Sequence, residues 1–316
     1  MGFFSTTKKK TRGLLSIGLQ RDGVVASRVS WDGGAARPVV KLCAFYAAEK
    51  TPLPALLEKV GKDVHANTLR CAHVLGGGEY QLLSVEAPNV PAEELVTAVR
   101  WRLKDLIDFP VEQATVDVLG IPADQAAQGR GAALFAIAAR SSLIAERQNL
   151  FADAAVPLAV IDIPEMAQRN MSALIAADGR GLAMLSFHAD GGLLTVTYNG
   201  ELYLSRRIDA TLDHVREPDS ERRQASYDKI TLELQRSLDH FDRQFHFINV
   251  SRLVLAPTGA SGLDEYLSSN LYTPVDSLDL AQVFDLGLTP ELANAAQQQR
   301  FFLTLGAALR REEAGA

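Results

Sequence analysis

The feature of this sequence that could do chemistry is a hairpin pattern near its start, LLSIGLQRDGVVASRVSWDGG, residues 14–34. It reads as strand, tight turn and strand, with Asp22-Gly23 at the bend, because Asp-Gly tolerates the positive φ angles of a two-residue turn. A hairpin of this kind can wrap phosphate groups when its backbone amides face an anion. The sequence therefore raises the question of whether this hairpin binds a phosphorylated ligand.

No other pattern competes as a catalytic or metal site. Gly76, Gly77 and Gly78 form a triplet, but no Lys-Ser/Thr pair or immediate helix follows, so a plain hairpin turn is expected. The histidines show no paired metal spacing. There is no Gly-x-Ser-x-Gly motif and no Walker motif. Cys43 and Cys71 fall within predicted strands and are expected to be core residues.

Composition limits the class of protein. The 316 residues are 47% hydrophobic and carry a formal net charge of −6. This length allows two domains, each with its own core. An acidic balance disfavours nucleic acid as the main ligand, because binding to the phosphate backbone needs a basic face. There is no run of 18 apolar residues and no secretory signal, and two cysteines fit a reducing compartment.

The first residues, MGFFSTTKKKTRG, allow two interpretations. Phe3 and Phe4, followed by four basic residues, could contact an anionic membrane surface. The alternative is a flexible, solubilising terminus. Met1-Gly2 with Thr6 also fits the loose formula for N-myristoylation. The sequence leaves both interpretations open.

Alternating strand and helix patterns predict an α/β protein. The first half is predicted to form strands and helices at residues 14–19, 24–31, 38–46, 53–64, 90–107, 115–121, 132–139, 142–153, 158–162 and 164–177. The second half begins LAMLSFHADGGLLTVTYNGELYLSRRI, with an Asp-Gly and an Asn-Gly turn, which repeats the plan of the first three strands. Further elements are predicted at residues 227–247, 252–256, 263–271, 274–278 and 300–311. The pattern predicts a duplicated three-stranded meander, one in each domain.

Two domains that each open with such a meander follow the plan of the actin/Hsp70/hexokinase-like fold. VPAEELVTAVRWRLKDLIDFPVEQATVDV resembles the PilM family of type IV pilus assembly proteins. LELQRSLDHFDRQFHFINVSRLVLAPTGASGLDEYLSSNLYTPVDSLD looks like the late segment of that family, and VIDIPEMAQRNM is similar to its connection between the two halves. Within the group the chain looks most like the MshI-type proteins of the mannose-sensitive haemagglutinin (MSHA) pilus.

The resemblance implies duplicated ribonuclease-H-type domains with an FtsA/PilM-like inserted subdomain. It divides the chain into a basic N-terminus, a first domain in three pieces, the inserted subdomain and a second domain. The basic N-terminus is residues 1–12. The first domain comprises residues 13–81, 158–179 and 299–316, the inserted subdomain residues 82–157, and the second domain residues 180–298.

The resemblance also implies where a nucleotide would bind. In nucleotide-binding members each meander starts with Asp-x-Gly, whereas Ser16 and Ser186 stand at the aspartate positions here and His188 replaces the second glycine. A neutral hydroxyl cannot substitute for a carboxylate near a hard cation. The expectation is a degenerate site with no metal and no ATP hydrolysis, with ATP/Mg binding left open. Its remaining candidate residues are Gly18, Asp162, Glu165, Gly191 and Gly259.

By resemblance, this is a cytoplasmic adaptor at the inner membrane, part of a pilus assembly platform. PilM-like proteins bind the short cytoplasmic N-terminal segment of a PilN-like bitopic membrane protein, between the first domain and the inserted subdomain. Arg100, Trp101 and Arg102 are candidate rim contacts, since an aromatic side chain beside guanidinium groups suits peptide recognition; the alternative is a solvated helix face. Other platform proteins, the assembly ATPase and further copies of the chain are possible partners.

Two other functions remain open. An ATP-binding switch or ATPase in the same machinery would need Asp162 or Glu165, with Gly18 and Gly191, to rebuild a Mg²⁺ site. A relative of the type II secretion actin-like cytoplasmic domains would be expected to continue into a transmembrane segment, whereas this sequence ends at Ala316 without one. The missing aspartates also disfavour a small-molecule kinase.

Overall fold

The computed structural model describes residues 14–31, 36–122 and 133–310. Its strands are β1 (Leu15–Gln20), β2 (Gly23–Ser30), β3 (Val39–Ala47), β4 (Cys71–Val74), β5 (Tyr80–Glu86), β6 (Ala114–Ile121), β7 (Ala133–Arg140), β8 (Leu158–Asp162), β9 (Gly181–His188), β10 (Gly191–Tyr198), β11 (Glu201–Ile208), β12 (Val250–Leu255) and β13 (Val275–Ser277). Its helices are α1 (Leu53–Asp63), α2 (Leu95–Arg102), α3 (Ser141–Asp153), α4 (Pro164–Ser172), α5 (Leu212–Val215), α6 (Ser220–Gln244), α7 (Leu263–Asn270), α8 (Leu280–Val283) and α9 (Ala295–Ala308).

Two five-stranded sheets repeat one strand order. The first sheet runs β3-β2-β1-β4-β8 and the second runs β11-β10-β9-β12-β13. In each, three antiparallel strands are followed by two parallel ones. The turn between β10 and β11 uses Asn199 and Gly200, both with positive φ, as the Asn-Gly pair predicts. The predicted duplication of a three-stranded meander is confirmed.

Helices α4 and α9 pack between the two sheets. Helix α9 contacts β1, β2 and β4, whereas α4 contacts β9, β10 and β11. The two helices approach closely at Gly306, where an added Cβ would lie 2.8 Å from the carbonyl carbon of Ala167. One shared core therefore joins the halves, and its largest members are Met171, Met184, Phe284, Phe301, Phe302 and Leu305.

The third sheet, β5-β7-β6, is inserted in the chain between β4 and β8 of the first sheet and carries α2 on one face. Val99 and Leu103 are fully buried against it. Its other contacts reach the second sheet, because Ile121 and Phe135 belong to the core around β9–β11. Helix α3 instead buries Phe151 in the core of the first sheet.

Two local predictions are wrong. The helix expected over residues 90–107 is shorter, because α2 ends at Arg102 and the chain then turns, with the Leu106 amide bonded to the Leu103 carbonyl. Leu106, an apolar residue within the predicted helix, is 55% exposed. The glycine triplet is not a hairpin turn, because β4 pairs in the first sheet and β5 in the third.

Other boundaries move by several residues. Asp219 caps α6 by accepting a hydrogen bond from the Arg222 amide, so this helix begins and ends before its predicted bounds. Asn294 caps α9 in the same way, so this helix begins at Ala295, five residues before its predicted start. The basic N-terminal segment, the Asp32-Gly33-Gly34 turn and the loop between β6 and β7 lie wholly or mostly outside the described residues. Within the described ranges, no helix has the length and apolar character needed to cross a bilayer.

Candidate functional site

A buried carboxylate, Glu165 at the start of α4, lies where three parts of the chain meet. Its Oε1 accepts a hydrogen bond from Ser205 at 3.2 Å and lies 3.4 Å from the Arg207 guanidinium. Its Oε2 accepts a hydrogen bond from the Tyr80 hydroxyl, to which Arg207 also donates. Burial and then the charge of Glu165 raise the pKa of Tyr80, so this hydroxyl stays a donor. The network joins β5, α4 and β11.

A second contact joins the glycine triplet to the turn between β9 and β10. The Gly77 amide donates a hydrogen bond to Asp190 Oδ2 at 2.5 Å. An added Cβ on Gly77 would lie 2.5 Å from Arg207 Nη1 and would also overlap the Asp190 carboxylate. A side chain at this position would require Asp190 and Arg207 to move, so Gly77 makes a close contact between the two halves of the molecule.

In the first hairpin, the position expected to have lost a metal-binding carboxylate is covered by helix α9. Ser16 is fully buried, and its hydroxyl has no hydrogen-bond partner in the described part of the chain. The neighbouring Ser27 hydroxyl is 2.7 Å from the Thr304 hydroxyl of α9. An added Cβ on Gly18 would lie 3.0 Å from Thr304 Cγ2, so this glycine is packed against the helix.

In the second hairpin, Ser186, the other serine at a predicted aspartate position, contacts two side chains. Ser186 donates a hydrogen bond to Gln168 Oε1 at 2.6 Å and lies 2.9 Å from His188 Nε2. Gln168 in turn donates to the Met184 and Leu193 carbonyls. Burial lowers the pKa of His188 to about 4, opposed in part by the nearby charge of Asp190. The ring is therefore neutral at pH 7.

The two carboxylates predicted for the cleft lie in different surroundings. Asp162, at the end of β8, accepts a hydrogen bond from the Ile163 amide and pairs with Arg310 at 3.1 Å. Burial raises its pKa, and the charge of Arg310 opposes that rise. Glu165 instead pairs with Arg207, so Asp162 and Glu165 do not bind a common group.

The loop at residues 258–262, which contains the candidate nucleotide-site residue Gly259, borders a cavity of about 460 Å³. Gly259 has a φ of +65°, and an added Cβ would lie 2.8 Å from Arg216 Nη2. Arg216 Nε donates to the Thr258 carbonyl at 2.7 Å. Gly191, in the second hairpin, also has a positive φ of 133°. An added Cβ on Gly259 or Gly191 would therefore contact atoms of the protein itself, Arg216 and Ile208 respectively.

A separate groove of about 340 Å³ lies between the first and third sheets. Both bordering strands, β8 and β6, are at the edges of their sheets. Its apolar lining includes Leu75, Val118, Leu119, Ile137, Ile144, Ile161, Ile163 and Met166. An edge strand presents backbone amides and carbonyls that can pair with an added strand. The groove therefore has the chemistry to bind an extended, apolar peptide.

The predicted rim residues on α2 lie away from the lining of this groove. Trp101 is 69% exposed. Arg100 donates to the Val111 and Glu112 carbonyls, and Arg102 donates to the Glu86 carbonyl. Both arginines therefore bind the backbone of the third sheet and its loops, although Arg102, like Trp101, is exposed.

Metal and thiol chemistry have little support in the described ranges. No group of three His, Cys, Asp or Glu side chains there is arranged to hold a metal ion. Both cysteines are free thiols, and burial raises the pKa of Cys43 to about 12 and that of Cys71 as well. Such thiols are poor nucleophiles near neutral pH.

No protein-family model matches the chain, and no curated protein sequence does. A solved structure titled as the PilM-PilN type IV pilus biogenesis complex is similar in fold, with a TM-score of 0.70, 18% identity, 95% of this chain and 98% of that chain covered. The cytoplasmic domain of EpsL, from the type II secretion system of Vibrio cholerae, matches with a TM-score of 0.42, 15% identity and coverage of 66% and 76%. A Bacteroides thetaiotaomicron protein with an actin-like ATPase fold matches with a TM-score of 0.48, 13% identity and coverage of 92% and 99%.

The duplicated strand order and the PilM match together define an actin-like α/β fold, which confirms the predicted fold class. Over nearly its whole length the chain has the PilM-like form of that fold.

Sequence reasoning missed several residues that join the halves. Tyr80 and Arg207 lie 85 and 42 residues from Glu165, and none of the three belongs to a recognisable motif. Gln168 also belongs to no recognisable motif, although it accepts a hydrogen bond from Ser186 of the second hairpin. Only the glycine triplet carried a signal, because three adjacent glycines indicate a close backbone approach.

Proposed function

We propose that this protein is an actin-like adaptor of an MSHA-type pilus assembly platform, which binds the cytoplasmic N-terminal segment of a PilN-like inner-membrane protein. The main support is the PilM-like fold, shared over 95% of the chain with a structure from a PilM–PilN complex. The pilus type rests on the sequence resemblance to MshI-type proteins. The proposal makes the protein peripheral to the inner membrane, held there by its partner.

The groove between β8 and β6 is the proposed peptide site. Its edge strands offer main-chain hydrogen bonds, and its apolar lining offers pockets for alternate side chains of an extended segment. Asp117, whose Oδ1 is bonded to the Val118 amide, and Asp162 lie at its border and orient polar parts of the peptide. Trp101 on α2 is proposed as an outer contact for the remainder of the partner's segment.

The test is binding of a synthetic peptide with the partner's N-terminal sequence, measured by fluorescence anisotropy. Ile161 lines the groove and is half-buried, so Ile161→Asp places a charge there and is expected to weaken binding at least tenfold. Leu288→Asp is the matched control, because Leu288 is 63% exposed and does not line the groove. If the peptide binds both variants and the native protein equally, the groove is not its site.

We further propose that the adaptor works without nucleotide. Each carboxylate that could hold Mg²⁺ between the halves is bonded within the chain, Glu165 to Arg207 and Asp162 to Arg310. The Arg207 guanidinium and the contact between Gly77 and Asp190 occupy the space beside the second hairpin. We therefore expect these residues neither to hold a magnesium–triphosphate group nor to hydrolyse ATP.

The alternative is an ATP-binding switch, and the cavity of about 460 Å³ beside Gly259 is the observation that favours it. Chemical denaturation with and without Mg-ATP separates the two. A site filled at a hundred times its dissociation constant adds about 2.7 kcal/mol to the free energy of unfolding. The adaptor proposal expects no such increase, and an increase that Asp162→Ala removes would support the switch.

A further inference from the structure

The connecting segment, residues 75–80, leads from β4 of the first sheet to β5 of the third sheet and is held on two sides. On one side, Glu79 forms an ion pair with Arg147 of α3, and both side chains are partly buried. On the other side, the Gly77 amide donates to Asp190 in the turn between β9 and β10. The connecting segment therefore bridges a helix of the first half of the chain and a hairpin of the second half.

Both ends of the connecting segment reach the groove between β8 and β6. Leu75 lines the groove, and its amide donates to the Asp162 carbonyl at 2.9 Å. Tyr80 is buried and does not itself line the groove. It packs in one apolar cluster with three residues that do, Leu75, Ala139 and Ile163. Tyr80 therefore supports the groove wall from behind.

The hydroxyl of Tyr80 contacts the second half of the chain. It is bonded to Glu165 of α4 and to Arg207 of β11. The Arg207 guanidinium also lies 5.5 Å from the centre of the Tyr80 ring, within range of a cation–π contact. Among the described residues, those that line the groove include none from β9–β13. The Tyr80 side chain thus links the groove wall to a part of the molecule that does not line the groove.

We propose that the connecting segment couples the peptide groove to the contact between the two halves, with Tyr80 and Arg207 as positioning residues. While the second half holds Gly77 and Tyr80, the groove wall keeps the arrangement that binds the peptide. When this contact opens, the wall loses its support, and binding must then include the cost of restoring it. This inference rests on the proposed peptide-binding function of the groove.

The first test is peptide affinity, measured by fluorescence anisotropy with the synthetic peptide of the partner's N-terminal sequence. Tyr80→Phe keeps the ring in the apolar cluster and removes the bonds to Glu165 and Arg207. The affinity is expected to fall at least about fivefold, the lower end of the coupling that is typical between linked sites. Asp190→Ala, which removes the bond to Gly77, is expected to act in the same direction.

The matched control for these variants is Asp22→Ala. It removes a partly exposed ion pair with Arg300 at the turn of the first hairpin, and neither residue lines the groove. This variant is expected to bind the peptide like the native chain. Melting temperatures of all the variants show that each one folds.

The second test is a readout that a purely structural role of the network would not change. By linkage, the bound peptide must favour the closed contact by the factor that opening costs in affinity. Saturation of the native chain with peptide is therefore expected to slow hydrogen exchange of the Gly77 amide at least as much as Tyr80→Phe weakens binding. Gly77 does not line the groove, so direct shielding by the peptide does not account for this protection.

The outcomes separate this inference from the proposed function. If the native chain binds the peptide and Ile161→Asp weakens binding, but Tyr80→Phe and Asp190→Ala bind like the native chain, the groove stands and the coupling is overturned. Unchanged exchange at Gly77 in the peptide complex overturns it as well. An equal loss of affinity in Asp22→Ala and Asp190→Ala would mean that affinity follows general stability, which also excludes the coupling. If the native chain does not bind the peptide, the proposed function fails first and the coupling with it.

Discussion

Ser16 in β1 and Ser186 in β9 are two buried serines in the first strands of sheets that share one strand order, yet their surroundings differ. Ser16 is buried without a hydrogen-bond partner among the described residues, whereas Ser186 is bonded to Gln168 and His188. A buried hydroxyl without a partner is costly. The duplicated backbone thus keeps its shape while each copy acquires its own supporting side chains.

The two hairpin turns differ in the same way. Asp22, in the first turn, pairs with Arg300 of α9 at 2.9 Å. Asp190, in the second turn, accepts a hydrogen bond from Gly77 in the first half of the chain. The first hairpin is therefore held by the helix that packs on its own sheet, and the second hairpin joins the two halves.

The largest expected difference in stability concerns the polar side chain by which each helix bonds to its sheet, Gln168 in α4 and Thr304 in α9. Gln168→Leu removes four buried hydrogen bonds, to the Met184 and Leu193 carbonyls and to the Thr195 and Ser186 hydroxyls. At about 1 kcal/mol for each bond, we expect a loss of about 4 kcal/mol in the free energy of unfolding. Thr304→Val removes one bond to Ser27 and should cost about 1 kcal/mol. Urea denaturation of both variants measures this; equal losses would mean that the two copies are supported alike.

The second difference is in acid sensitivity. Above pH 6.5 His188 is neutral in both folded and unfolded chains; as pH falls from 6.5 toward 4 only the unfolded chain gains the proton, so stability is lost. The upper limit is roughly 3 kcal/mol, from about 1.4 kcal/mol per pKa unit. At the same distance from the turn, the first hairpin has Gln20, which cannot titrate.

Other buried groups act in this pH range, so the difference between variants is the quantity to measure. Burial also lowers the pKa of His73 in β4, which adds to the loss, whereas the raised pKa of Asp162 has the opposite sign. His188→Gln should therefore lose less stability than the native chain between pH 7.5 and pH 5. Parallel slopes for the two proteins would contradict the assignment to His188.

These side chains show what the sequence could and could not predict. Asp-Gly and Asn-Gly turns between alternating residues predicted both meanders, because turn chemistry and strand period are local properties. The pairing of Gly77 with Asp190 joins positions 113 residues apart, which no local pattern records. Apolar residues at helical spacing, such as Leu95 and Val99, indicate helix α2. The turn after Arg102 depends instead on packing against the third sheet.

The third difference is the sign of the same substitution at two buried serines, Ser16 and Ser186. Ser186→Ala removes a hydroxyl that donates to Gln168 and should cost about 1 kcal/mol. Ser16→Ala removes a buried hydroxyl without a partner and should raise stability by about 0.5–1 kcal/mol. Chemical denaturation at pH 7.5, away from histidine titration, measures both. A loss at Ser16 equal to that at Ser186 would mean that Ser16 has a partner, such as a buried water.

The smallest difference in stability separates the two turn aspartates, and here the location of the effect matters more than its size. Asp22→Ala removes a partly exposed ion pair and should cost about 0.5 kcal/mol, since Arg300 keeps its bond to Gln20 and its stacking on Phe45. Asp190→Ala should cost about 1 kcal/mol and also free the Gly77 amide. Hydrogen exchange of residues 75–79 should therefore accelerate in the Asp190 variant and stay native-like in the Asp22 variant, because only Asp190 bonds this loop across the two halves. Equal exchange in both variants would mean that the Tyr80–Glu165–Arg207 network, and not the second hairpin, holds the halves together.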